Sequence, residues 1–171
     1  SLIEANLATG QTERILYQYD PQGEYQPMFY WTPDLQYLAM FGPEQASTMA
    51  MPARPVTVVH LPTGETYTFP DEAPDVGQLH LCDQFSPLGN YLIALATPSA
   101  QEIFSIVVFD PQGNPVQTLP SEQLAAYDLS WMRCPAWQPS EEAFYFQALS
   151  YDDTANTYQY LIFKYSLANQ T

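Results

Sequence analysis

Basic residues are scarce in this chain. Only four of its 171 residues are Lys or Arg, against nineteen Asp and Glu, for a formal net charge of −15. Nucleic-acid binding depends on Lys and Arg that displace counterions from phosphates, and Arg14, Arg54, Arg133 and Lys164 are too few for it. Nucleic acid and anionic membrane surfaces are therefore poor partners. A cationic partner, a metal ion or a polyamine is electrostatically allowed. The plainer reading is that the acids keep the surface soluble. No run approaches the ~18 apolar residues of a membrane helix, so no membrane insertion is expected. The opening "SLIEANLATG" has neither a basic start nor a long apolar stretch, so no signal peptide is expected in it.

Catalytic signatures are also missing. There is no G-x-S-x-G elbow and no Gly-rich phosphate cradle, so no catalytic residue is assigned and no enzyme is expected. The paired acids Glu141 and Glu142 fall in a turn and are expected to be exposed, where neither suits acid–base work. Glycine is low, at seven, and two cysteines decide little about compartment.

Aromatics and proline are plentiful: thirteen Tyr, nine Phe and sixteen Pro. Aromatic side chains suit a pleated, half-buried surface, and the prolines suggest many turns and few long helices. A hydrophobic content of 46% argues against disorder, and the length suffices for one domain with a real core.

The order of these residues repeats. "MFYWTPDLQYLAMF", "CDQFSPLGNYLIAL" and "CPAWQPSEEAFYFQAL" align on the aromatic anchors Trp31, Phe85 and Trp137. After one further residue each has a proline: Pro33, Pro87 and Pro139. A short polar turn and an apolar strand follow. A second series, "NLATGQTERI", "HLPTGETYTF" and "FDPQGNPVQTL", sets a glycine between two strands, at Gly10, Gly64 and Gly113. Glycine accepts the positive φ that such hairpin turns need. Each repeat thus reads as four antiparallel strands, a to d, with the aromatic-x-Pro corner joining a to b and the Gly turn joining c to d. Four-stranded units recurring at about fifty residues are the mark of β-propeller blades. The expected fold is all-β: one propeller segment over 1–171, with blade-like repeats near 1–18 (partial), 26–70, 79–120 and 128–166.

The corners resemble the W-S-P-D-G-K-x-I-A-F signature of TolB-like (PD40) propeller repeats. Trp31-Thr32-Pro33-Asp34 with Leu38-Ala39 is similar to it, as is Phe85-Ser86-Pro87 with Gly89. Trp137-Gln138-Pro139-Ser140 keeps the anchor and lacks the Asp-Gly. The D-L-x-T-G type of hairpin belongs to the same family, whereas the Trp-Asp and Gly-His marks of WD40 repeats are absent. The resemblance implies a binding platform. Such propellers occur in periplasmic and surface proteins, which implies a periplasmic or extracellular location. They also occur as gating domains of prolyl-oligopeptidase-like serine peptidases. A structural subunit of a cell-surface assembly is a further alternative.

Strands c and d open the chain, two full blades follow, and a third lacks strand d, expected to begin at "LANQT". About three blades' worth would leave two blade faces open to water. Further blades, pairing with a second copy into a six-bladed ring, or a stable open arc would each resolve this. Protein partners would meet the loops at the blade ends or the open faces.

Few residues suggest a site. Cys82 and Cys134 hold equivalent positions three residues before their anchors. They could form a disulfide or a metal pair, or be two small buried thiols. The matching Met28 favours thiols, and inner strands of adjacent blades are often too far apart for a bridge. Alternation in a strand separates Asp83 from His80 and Cys82, and His60 closes strand c. In "SYDDTANTYQ", Asp152, Asp153 and Asn156 offer oxygen ligands for calcium, without EF-hand spacing; a solvated hairpin is the alternative. No other cofactor is expected. The long insertion "MFGPEQASTMAMPARP" offers Met49, Met51 and Arg54 as an adaptable contact, or a proline-stiffened loop. Ser121 is expected to cap a short helical turn.

Overall fold

Strict alternation along the apolar runs decides how this chain packs. The computed structural model describes residues 2–6, 8–9, 11–17, 28–41, 56–69, 72–73, 77–97, 105–127, 129–152, 154 and 156–167. An antiparallel pair, β1 (Leu2–Asn6) and β2 (Gln11–Tyr17), comes first. A four-stranded sheet follows in chain order: β3 (Met28–Trp31), β4 (Tyr37–Phe41), β5 (Val56–His60) and β6 (Glu65–Thr68). The second sheet holds β7 (Glu72–Ala73), β8 (Gly77–Phe85), β9 (Leu92–Thr97), β10 (Ser105–Phe109) and β11 (Pro115–Leu119). The third holds β12 (Leu129–Met132), β13 (Ala136–Trp137), β14 (Ala143–Asp152) and β15 (Thr157–Ser166). All pairings are antiparallel. This is the expected all-β run of blade-like sheets.

The sheets stack face to face. In β4, Tyr37 and Ala39 join one core while Leu38 and Met40 join another. The second sheet is buried on both sides. Leu92, Ala94, Val107 and Phe109 pack toward the first sheet, and Ile93, Leu95, Ile106 and Val108 toward the third. Phe144, Phe146 and Ala148 of β14 answer from the third sheet. Every residue of β10 is buried, as a strand sandwiched between two layers requires. On the far side of the first sheet, Arg14 of β2 donates to the carbonyls of Leu61 and Pro62, tying the opening pair to the turn after β5.

Several sequence expectations need correction. Strand a of the third repeat, expected as one strand like those of the other repeats, is broken into β12 and β13, both paired with β14. Pro135 sits in the gap, and it has no N–H to give the ladder. Ser121 does not cap α1 (Ser121–Leu124): Pro120 holds the cap position and no side-chain cap bond forms. The Ser121 N–H donates instead to Ser105 Oγ at 3.0 Å, fastening the helical turn to the start of β10.

Candidate interaction face

The three corners are alike at atomic detail. The N–H groups of Thr32, Ser86 and Gln138 donate to the carbonyls of Tyr37, Tyr91 and Ala143 at 2.9–3.0 Å. The N–H groups of Leu35, Gly89 and Glu141 donate back to the carbonyls of Thr32, Ser86 and Gln138, each at 2.9 Å. Those three residues all have positive φ, at 57°, 85° and 59°. The proline before them presets the turn that leads into this left-handed position.

The corners also touch one another. A Cβ on Gly89 would lie 2.7 Å from Thr32 Cβ, so glycine is what lets the second corner seat on the first. At the next seam the left-handed residue is Glu141. It is not exposed, as a turn acid was expected to be, but only 5% accessible. Its Oε1 accepts the N–H of Leu88 and its Oε2 the side-chain amide of Asn90 at 2.8 Å. Burial is tolerated because the carboxylate replaces lost water with two donors. Away from the corners, Gln112 donates to the Tyr37 hydroxyl and Gln117 to the Tyr165 hydroxyl, one bond across each seam. The Tyr91 ring stacks on Trp137, with centroids 5.6 Å apart.

The cysteines are likewise not two separate thiols: Cys82 and Cys134 form a disulfide, with Cα atoms 5.6 Å apart. Both strands leave their ladders at the cysteine. The β8–β9 register breaks between Leu81 and Phe85, and the third sheet's between β12 and β13. Such irregularities re-aim a side chain, which brings together two inner strands that regular pairing would hold apart.

Among the described residues, large exposed side chains gather on the front of the third sheet. Equivalent cross-strand pairs run through the sheets: Ala39–Val58, then Ile93–Val108, then Tyr145–Lys164. The first two pairs are fully buried in the seams. The third lies on the front of the third sheet, where Tyr145 is 42% exposed and Lys164 Nζ sits 5.8 Å from its ring centroid. The same front carries Tyr158, Tyr160 and Ile162, at 65%, 67% and 77% exposure. On the opposite side of the stack, Phe29 and Trp31 of β3 are also exposed. Trp31 is thus an anchor by position but not a buried one, unlike Phe85. Two open faces were expected; on the first sheet's outer side, however, Leu38, Met40 and Val59 are buried, and of its described large hydrophobic side chains only Phe29 and Trp31, at the β3 edge, stand exposed.

The calcium candidates fall at the β14–β15 turn. Asp152 Oδ1 accepts the Thr154 N–H at 2.9 Å and Oδ2 the Gln159 side-chain amide at 3.3 Å, while Asn156 Oδ1 accepts from the Tyr151 hydroxyl. These oxygens serve the hairpin. Asp153 lies outside the described residues, as do Met49, Met51 and Arg54 and the side chains of His80 and Asp83. His60 packs at a tilt against the Tyr37 ring, with centroids 4.9 Å apart, and shares a 2.8 Å bond between Nδ1 and the Thr63 hydroxyl. Among the described residues no three His, Cys, Asp or Glu gather as a metal site, and no helix is long and apolar enough to cross a membrane.

No protein-family model matches the chain, and no curated protein matches it by sequence. Solved structures do. A prolyl endopeptidase aligns over 85% of this chain and 20% of its own, at 14% identity and a TM-score of 0.52. Porphyromonas gingivalis dipeptidyl peptidase 4 aligns over 95% of this chain and 26% of its own, at 10% identity and 0.50. TolB from Acinetobacter baumannii aligns over 92% of this chain and 36% of its own, at 11% identity and 0.45. All are β-propeller proteins. The likeness to the two peptidases establishes the fold: this chain is a run of stacked propeller blades, and it covers only 20 to 36% of the matched chains.

Proposed function

We propose that this propeller segment is a non-catalytic binding and assembly module that engages protein partners across the open front of its third sheet. The observation that carries this reading is the change in the equivalent pairs. Buried Ala39–Val58 and Ile93–Val108 give way to Tyr145 and Lys164 on a front that also holds Tyr158, Tyr160 and Ile162. Tyrosine combines a large apolar ring with a polar tip, which suits a surface that is wet when free and covered when bound. A contiguous patch of this kind is uncommon on a monomer without a role. The Cys82–Cys134 disulfide supports an oxidising compartment, and with it a periplasmic or extracellular location.

A second reading has support in the likeness to a prolyl endopeptidase and to dipeptidyl peptidase 4. In it, the segment is part of the gating propeller of a serine peptidase, and the open front adjoins further blades or a hydrolase domain.

One experiment tests both. A photo-reactive benzoylphenylalanine replaces Tyr160, and in a control replaces Val116, an exposed residue of β11 on the second sheet's edge. Cross-linking in the producing cells, followed by mass spectrometry, should give a protein adduct at position 160 and none at 116. An adduct to a hydrolase domain selects the peptidase reading. No adduct at 160 removes the binding-module reading.

A further inference from the structure

We propose that Cys134 is the site at which small disulfides such as glutathione disulfide exchange with this protein, and that Cys82 is the resolving partner that converts the mixed disulfide into the Cys82–Cys134 bridge. This chemistry is independent of any partner on the third sheet's front.

The first observation is the unequal exposure of the two ends. Cys134 is exposed, whereas Cys82 is 5% accessible. Cys82 belongs to the core between the second and third sheets, with Ile93, Leu129, Met132 and Phe144. Cys134 lies in the short gap between β12 and β13, where Arg133 and Ala136 are exposed as well. A thiol reacts as its thiolate, and only where the second reagent can reach it. Glutathione disulfide meets Cys134 at the surface. To meet Cys82 it would have to enter a packed core.

The second observation is how the pair is held. The two Cα atoms are 5.6 Å apart, although 52 residues separate the cysteines in sequence. Other contacts span the same seam. Glu141 accepts from Leu88 and Asn90, Gln117 donates to Tyr165, and Tyr91 stacks on Trp137. None of these needs the bridge, so the sheets dock while both thiols are reduced, and Cys82 then waits beside Cys134.

The exchange runs in two steps. The Cys134 thiolate attacks one sulfur of glutathione disulfide. A bond forms between that sulfur and Cys134 Sγ, the glutathione S–S bond breaks, and one glutathione thiolate leaves. Cys82 then gives up its proton to water and attacks Cys134 Sγ. The protein bridge forms, and the second glutathione thiolate leaves. Two protein thiols have been oxidised and one glutathione disulfide reduced to two thiols. The second step is intramolecular, so proximity drives it even from a buried position. Cys82 is within reach only when the seam is packed, so the bridge closes on sheets that have already docked.

Reduced Cys82→Ala and Cys134→Ala each keep one thiol and no bridge, and they test the order. Glutathione disulfide is added to each folded variant, and uptake is followed by intact mass. Cys134 in the first variant should take up one glutathione at least about tenfold faster than Cys82 in the second. In urea the two rates should come within about threefold of each other. A brief pulse of substoichiometric iodoacetamide on the reduced, folded wild type needs no substitution. Peptide mapping should then find Cys134 alkylated in preference to Cys82. Equal rates in the folded variants, a faster Cys82, or alkylation mapped chiefly to Cys82 overturns the proposal. A tenfold gap that persists in urea overturns it too, because burial then does not set the order.

Discussion

The carboxylate of Glu141 accepts the backbone N–H of Leu88 at 2.5 Å, across the seam between the second and third sheets. Removing it takes the acceptor from that N–H and from the side-chain amide of Asn90 at a part-buried seam. Glu141→Ala should destabilise by about 1–3 kcal/mol. Glu142, exposed one residue on, should tolerate alanine within about 0.5 kcal/mol. Urea unfolding of the two variants gives the comparison; equal midpoints would contradict the seam.

The Cys82–Cys134 disulfide joins residues 52 apart in sequence. A loop of that length corresponds to about 4 kcal/mol of lost chain entropy in the unfolded state. Reduction, or Cys134→Ala with Cys82→Ala, should lower stability by about 2–5 kcal/mol without changing the far-UV circular dichroism of the folded protein. Thiol titration of the unreduced, unfolded chain should find no free cysteine. Two free thiols there would contradict the bridge.

Gly89 and Gly64 separate two effects of adding one methyl group. Both have positive φ, but a Cβ at Gly64 meets nothing within 4 Å, whereas at Gly89 it meets Thr32 at 2.7 Å. Gly64→Ala should cost about 1 kcal/mol, the backbone penalty alone. Gly89→Ala should cost about 1–3 kcal/mol more, since a rigid corner must move. Thermal unfolding of the two variants reads the difference.

The first corner responds to acid. The Thr32 hydroxyl, and after it the Gln36 amide, hold the Asp34 carboxyl below its ordinary value of 3.8. A lowered folded value means that this contribution to stability is present above the unfolded value and is lost as pH falls through the folded one. Carboxyl carbon shifts followed by NMR should place the Asp34 midpoint below 3.8, and Thr32→Val should raise it. A midpoint at or above 3.8 in the wild type would contradict the hydrogen bonding.

The corners were legible in the sequence because each one combines a proline that fixes φ, a residue able to enter the left-handed region and an apolar strand. Leu35, Gly89 and Glu141 differ chemically yet occupy one position, so spacing carried the signal and residue type did not. For the same reason the burial of Glu141 could not be read. An acid in a turn normally faces water, and only the neighbouring sheet supplies the donors that cover it. The disulfide was one of the alternatives open for Cys82 and Cys134, but regular strand geometry argued against it. The ladder breaks at Cys82 and at Cys134 arise from tertiary packing and from Pro135, not from any local preference of the cysteines. The open front was foreseeable from the count of strands. Its tyrosine-rich character became visible only when pairing placed Tyr145, Tyr158, Tyr160 and Ile162 on one face.

The central claim is a stack of blade-like sheets in which, among the described residues, β15 pairs on one side only. Residue-resolved amide exchange tests it most directly. In β5 and β10, paired on both sides, successive amides should be protected alike. Along β15 protection should alternate, with the amides that face away from β14 exchanging at least about tenfold faster than their neighbours. Uniform protection along β15, or the same alternation in β10, would contradict the account.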